Sequence, residues 1–477
     1  MPINVRDAEA APAQRALDAL WQQAGLPAAA LDHIEASGDA PVLPSSFAVA
    51  DAIQASMAAA AGAAAELWHL RQGRRQRVLV PREHAVLESC AHFTLDGLAP
   101  QVWDKLSGLY RCGEALGEPG WVRLHANFAH HRDGALKLLG CPTGDATERP
   151  VVEQALRGWR AEDFEDAAEQ AGLVVAALRS FDAWDRHPQA LALADQPTVR
   201  IERIGDAAPL AWPDAATTDR PLHGVRVLDL TRILAGPVAG RTLAAYGAEV
   251  LLLNAPQLPN IEAIAETSRG KRSAHLDLRD DAGRERLKAL LADAQVFVQG
   301  YRPGGLQVLG FGPEQLAALR PGIVAVSLSA YGSTGPWSTR RGFDSLVQTA
   351  TGFNDAEARA AGAAKPQALP LQALDYAAGY LLAFGAQAAL WRQAREGGSW
   401  HVQVSLAGVG HWLRSLGRVD HGLTAKAPDI APLLVSEPSG FGRLVAARHA
   451  AQFAETPPLW RWPSMPPGTH PAAWPTR

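Results

Sequence analysis

The chain has 477 residues, enough for two or three domains, and 47% hydrophobic against 20% charged residues is the balance of a globular protein with sizeable cores. A formal net charge of -4 lacks the basic excess of a nucleic-acid surface. Three cysteines (Cys90, Cys112, Cys141) are too few for a disulfide framework and have no metal-type spacing, so a reducing, cytoplasmic setting and no metal site are expected.

The opening residues, MPINVRDAEAAPAQRALDAL, carry acids and no apolar core of signal-peptide length. No run of about 18 uninterrupted apolar residues marks a membrane span. Residues 1–40 read as a helical, Pro/Ala-rich lead-in. Over 41–205 helical and strand patterns mix, with a smaller α+β domain expected from about 90 to 200. GWVRLHANF (120–128) reads as a strand, and 151–172 as one or two amphipathic helices ending at Gly172. Residues 206–220, rich in Pro, Ala and Asp, read as a linker.

The pattern then changes. HGVRVLDL and AEVLLL are short strands flanking a small-residue helix, and DDAGRERLKALLADA, QVFVQG, GPEQLAALRPG and IVAVSLSAYG continue the alternation. Strand–helix–strand units build parallel sheets, so 221–335 is expected to form an open α/β sheet. Ligands in such sheets sit at the carboxyl ends of the strands, here TRILAGP, QGYRPGG and SAYGSTGP. A long apolar helix begins near Asp375. Residues 411–477 form a Pro-rich extension, whose end is expected to lie extended on the surface.

Two segments repeat. In an ungapped comparison of the stretches from Ala50 and Leu374, Asp51 lies over Asp375, Arg71 over Arg395, Gly73 over Gly397 and Val78 over Val402. Each has an acid, a small-residue helix, a basic turn with Gly and an alternating strand, the mark of a partial duplication. The two helices are expected to lie close together.

Asp375 has two readings. An Asp opening a helix is most often an N-cap. A carboxylate flanked by Ala and Gly also lets a ligand approach, and it can act as a nucleophile toward an acyl group. LAGPVAG (234–240) could turn backbone N–H groups toward a phosphate. SRGKRSAHLDL (268–278) offers Arg269, Lys271 and Arg272 as phosphate contacts without the glycine of a P-loop. The histidines of HANFAHHR (125–132) have no acid or cysteine to complete a metal site and are assigned to structure. No GxSxG elbow is present.

Together, PLHGVRVLDLTRILAGPVAGRTLAAYGAEVLLL, SRGKRSAHLDL, VFVQGYRPGGLQVLGFGPEQLAALRPGIVAVSLSAYGSTGPW and RRGFDSLVQTATGF resemble, in order over about 221–406, the class III CoA-transferases of the carnitine dehydratase and bile-acid-inducible protein F family. The resemblance implies a Rossmann-like parallel-sheet domain with a smaller domain, in two interlocked subunits. It implies transfer of coenzyme A from an acyl-CoA to a carboxylic acid through an aspartyl anhydride and thioester, with the CoA thioester as substrate and no cofactor, nucleic acid or membrane involved. Asp375, followed by Gly379, matches the family nucleophile. Leu234 and Ala235 match its first CoA-contacting turn, and Leu276 to Arg279 match the strand after GKRS, beside Lys271 and Arg272. Gly300, Tyr301 and Arg302 match a third loop, and Ser329, Tyr331 and Gly332 a fourth.

The chain departs from the family at Asn254, Ala255 and Val308, where an acid and two basic residues are usual, and at Gln299 and Gly300. Phe343 replaces the histidine of the related acyl-CoA racemases. The alternatives are therefore an acyl-CoA racemase or isomerase, and a non-catalytic acyl-CoA-binding subunit. The segments before the linker resemble the family's tail half, from its nucleophile helix through its small domain. The chain thus carries tail half (41–205) before head half (221–410). Asp51 is then a rival nucleophile, but it lacks the RRGFDSLVQ segment that precedes Asp375 and is expected to be a cap that tolerates Asn.

Overall fold

The computed structural model describes residues 11–211 and 219–475, so part of the expected linker lies outside the described residues. The central feature is a seven-stranded sheet. Its strands are β1 (Arg200–Gly205), β2 (Arg226–Leu230), β3 (Glu249–Asn254), β4 (Lys271–His275), β5 (Val296–Gln299), β6 (Val324–Ser329) and β7 (Ser399–Ser405). Their order is β4-β3-β2-β5-β6-β7-β1, parallel except for β1, which runs antiparallel beside β7. The six parallel strands follow the doubly wound order, in which the chain reverses direction across the sheet between β2 and β5. The expected parallel sheet over 221–335 is present and extends beyond that range at both ends.

Four helices position the site: α1 (Val49–Gln72), α2 (Ala235–Ala245), α3 (Asp344–Ala350) and α4 (Ala373–Glu396). The repeat is visible in space. α1 and α4 have equal length, each is followed by a strand, and they pack against one another, with Gln387 Nε2 of α4 donating to the carbonyl of Ala60 in α1 at 2.9 Å. Both are apolar around most of their circumference because neighbours cover every face.

Before the sheet, Gly108–Cys112, Gly120–Leu124 and Val175–Ala177 form an antiparallel sheet carrying helices Ala129–Leu138, Arg149–Leu156 and Ala161–Gln170. This is the expected smaller α+β unit. One expectation needs correction. The described part of the lead-in is not only helical, because Ile34–Ser37 pairs in parallel with Val78–Pro81. The proline-rich end is extended and lies largely at the surface, as expected, and the extension before it is anchored. Leu434–Ser439 and Gly442–Ala447 form a hairpin that pairs with Phe93–Leu95. Further on, the N–H of His470 donates to the carbonyl of Ser273 on edge strand β4 at 2.8 Å. Periodicity could not show this, because proline-rich chain packs through isolated aromatics such as Trp460, which lies 3.8 Å from the Arg269 guanidinium.

A buried charge cluster joins three parts of the chain. Glu88 accepts from Arg241 at 3.1 Å and from His449 Nδ1 at 2.9 Å, while Glu266 bridges Arg241 and Arg269. Burial by itself would raise the Glu88 carboxyl, but His449 and Arg241 outweigh it and hold it down to about 2. No described helix is long and apolar enough to cross a membrane.

Candidate active site

A cavity of about 500 Å³ opens outside the carboxyl ends of β2 and β5, where the winding reverses. Its walls come from both halves of the chain: Arg232 and Ile233 after β2, Gly300 to Arg302 after β5, Arg341 to Phe343 before α3, and Phe128, His130, His131 and Val174 from the smaller unit. Buried ionic contacts fix the turn after β2. Asp229 accepts from Lys271 Nζ at 2.8 Å and from the N–H of Thr231 at 3.1 Å, and Lys271 Nζ also donates to the carbonyl of Pro237 at 2.7 Å. Gly240 leaves room for the pair, since a Cβ there would lie 2.1 Å from Asp229 Oδ2. Ile233 sits at φ 77°, a left-handed conformation costly for a β-branched side chain.

Asp375 lies behind this wall. Phe343 lines the cavity and the next residue, Asp344, accepts at Oδ2 from the N–H groups of Leu374 at 2.7 Å and Asp375 at 3.0 Å. Gly379, one turn along, lets α4 rest on α2, where a Cβ would come within 2.7 Å of the Ala235 carbonyl. Asp375 is therefore not the N-cap of α4. It stands in the first turn, and Asp344 supplies the capping carboxylate. Among the described residues no hydrogen bond reaches the Asp375 carboxylate, and the residue as a whole is 8% exposed.

Asp51, its counterpart in the repeat, is spent differently. It is buried in α1 and paired with Arg82, whose Nε also donates to the carbonyl of Gly38 at 3.1 Å. It too stands inside the first turn and makes no side-chain cap. The capping role expected for Asp51 is replaced by a buried ion pair.

Electrostatics separate the two sites further. Burial pushes Asp344 up to about 6, against the pull of the N–H groups and of Gln348. Burial, then the charge of Asp344, pushes Asp375 well above the ordinary carboxylate value. Both acids are raised in the folded state, so it binds protons that the unfolded chain has already released. The stabilisation is complete below about pH 4 and is lost as pH rises through about 6 and beyond. Thermal unfolding of wild type and Asp375→Asn between pH 4 and 8 should therefore show a gap that widens in favour of the variant as pH rises. A pH-independent gap would contradict the coupling.

Of the positions expected to contact CoA, Leu276, Arg279, Gly300, Tyr301, Arg302 and Ser329 line the cavity. Leu234 and Ala235 are buried at the start of α2, just behind Arg232 and Ile233. Lys271 cannot reach a phosphate, because it is fully buried on Asp229. Arg272 is half-buried on β4, away from the cavity, and Tyr331 is buried edge-on against Trp337. Gly332 lines a neighbouring cavity of about 390 Å³. The cavity's Arg232, Arg341, His130 and His131 escaped the sequence reading. The two arginines stand inside TRILAGP and RRGFDSLVQ, so their loops pointed to them. The histidines lie far from the nucleophile in sequence, and only packing brings them in.

A doubly wound sheet with a crevice at its switch point is the α/β fold class that takes small-molecule ligands at the strand ends. On that fold, residues 222–432 match the model of CoA-transferase family III. The chain is 31% identical over 304 residues to an acyl-CoA transferase of Gibberella moniliformis, covering 60% of this chain and 53% of that one. It is 35% identical to a probable fatty acyl-CoA transferase of Mycobacterium tuberculosis, covering 40% and 51%. Against a mouse succinyl-CoA:glutarate CoA-transferase the values are 37% identity, 28% and 34%. A solved hypothetical protein of M. tuberculosis aligns at TM-score 0.38 with 35% identity, over 42% of this chain and 58% of that one. The chain thus spans about half the length of the first two relatives.

Proposed function

We propose that this protein transfers coenzyme A from an acyl-CoA to a carboxylic acid, with Asp375 as the covalent nucleophile. The observation that carries the reading is the contrast between Asp375, a buried carboxylate with neither cap role nor counter-ion beside the strand-end cavity, and Asp51, whose charge is neutralised. In the proposed cycle a carboxylate oxygen of Asp375 attacks the thioester carbon and the C–S bond breaks. CoA leaves as thiolate, and an aspartyl anhydride remains. The thiolate then attacks the Asp375 carbonyl, giving an aspartyl thioester and the free donor acid. The acceptor carboxylate attacks that thioester to form a second anhydride, and the thiolate returns to its acyl carbon, restoring Asp375. The burial of Asp375, only 8% exposed, limits the water that could hydrolyse the anhydride. No cofactor beyond the CoA substrate is needed.

The CoA phosphates are proposed to lie against Arg302, Arg341 and Arg232. None of the three has a carboxylate partner among the described residues, whereas Arg279 is engaged by Asp277. Arg302→Ala should then raise the KM for the CoA donor by about 10- to 100-fold, the worth of a charged hydrogen bond, with little change in kcat. An unchanged KM would move the phosphates elsewhere. The proposed setting is a cytoplasmic homodimer of interlocked chains, as the family resemblance implies, and sizing in solution tests the assembly.

The decisive experiment is incubation with succinyl-CoA or octanoyl-CoA and hydroxylamine, followed by peptide mass spectrometry. An aspartyl hydroxamate at residue 375 is expected. A hydroxamate at Asp51 instead would reverse the assignment. Binding of both acyl-CoAs without any hydroxamate would favour a non-catalytic subunit.

A further inference from the structure

His131 stands in the first turn of helix Ala129–Leu138, and its ring lines the cavity although the residue is only 6% exposed. Its ring centre lies 6.3 Å from that of Phe343, the cavity-lining residue that precedes Asp344. Nδ1 of His131 is buried with no hydrogen-bond partner, and among the described residues no hydrogen bond reaches its other ring nitrogen. A buried polar atom left unpaired costs about 1–3 kcal/mol, and a catalytic role is one of the reasons a natural protein keeps such a group. Burial, followed by the positive surroundings of His130, Arg341 and Arg232, presses the imidazole down to about 4. At neutral pH the ring therefore carries one N–H and one lone pair, and its N–H can donate without adding a full charge to the site.

Resting on the transfer reading above, we propose that His131 is a catalytic residue that donates a hydrogen bond to the thioester oxygen as Asp375 attacks. When the Asp375 oxygen bonds to the thioester carbon, the C=O π pair moves onto that oxygen as an oxyanion, which the imidazole N–H stabilises. Collapse restores the C=O and breaks the C–S bond. CoA leaves as thiolate and the imidazole keeps its proton. The donor thus comes from the half of the chain that does not hold the nucleophile. One chain then supplies both nucleophile and oxyanion donor, which gives the reversed order of the halves a chemical consequence.

The test compares wild type, His131→Phe and His131→Gln with succinyl-CoA, reading kcat, KM and the rate of hydroxylamine trapping at Asp375. Loss of one oxyanion donor costs about 10²- to 10³-fold in kcat, so His131→Phe should lose that much while KM stays within about threefold, as expected when an interaction forms only in the transition state. His131→Gln keeps an N–H donor and should run at least about tenfold faster than His131→Phe. If His131→Phe fails to fold, a His131→Gln kcat within about tenfold of wild type supports the proposal, and a deeper loss from folded His131→Gln overturns it. A folded His131→Phe with wild-type trapping also overturns it and leaves Asp375 catalysis intact. Wild type that binds succinyl-CoA but traps nothing removes both readings.

Discussion

Asp375→Asn is expected to fold, to melt at or above the wild-type temperature at neutral pH, and to lose CoA transfer by about 10⁴- to 10⁶-fold, the range seen when a covalent nucleophile is removed. The two effects have separate causes. An amide oxygen cannot form the anhydride, so the covalent path closes. The same change removes a buried acid that is pushed up by burial and by Asp344, so repulsion in the folded state falls. The cap of α4 is undisturbed, because Asp344 and not Asp375 accepts from the first-turn N–H groups. Loss of activity with gain of stability is the pattern of a site held against the preferences of the fold. A variant that loses both together would indicate a structural acid.

Asp51→Asn should behave in the opposite way. As a helix cap, Asp51 would tolerate Asn with little change, since Asn caps as well as Asp. The ion pair alters that expectation. Asp51 neutralises Arg82 inside the protein, with both side chains almost fully buried. Removing one partner of a buried pair leaves an uncompensated charge and costs about 3–5 kcal/mol. Asp51→Asn should therefore shift the denaturation midpoint strongly downward, while the fraction that stays folded keeps its specific activity. The double variant Asp51→Asn, Arg82→Met should recover part of the loss, because it removes the stranded guanidinium. Full stability of Asp51→Asn would show that the pair contributes nothing. The two members of the repeat thus make a matched comparison: the same residue type at the same helix position, one lost to activity and the other to stability.

How much of this was legible beforehand follows from the range of the interactions. Strands, helices and their alternation depend on local periodicity, so the parallel sheet over 221–335, the helical character of 151–172 and the repeat of Asp51 and Asp375 could all be read from the chain. The carboxyl ends of the strands followed from fold topology, and Gly300, Tyr301 and Arg302 stand at the cavity there. What each polar side chain does with its charge could not be read. Lys271 and Asp51 look like available ions in the sequence, and each is consumed by a partner 31 to 42 residues away. The same holds for the proline-rich end, which packs through single aromatics that leave no period.

Composition and periodicity by themselves determined the fold class, and motif order the family resemblance over about 221–406 that singles out Asp375, because those features are written in neighbouring residues. The tertiary structure alone decided that Asp344 rather than Asp375 caps α4, that Asp51 is neutralised, and that His131 reaches the cavity. The reason is physical. A charge or an imidazole is defined by what surrounds it after folding, and its dielectric setting and hydrogen-bond partners come from elements distant in the chain.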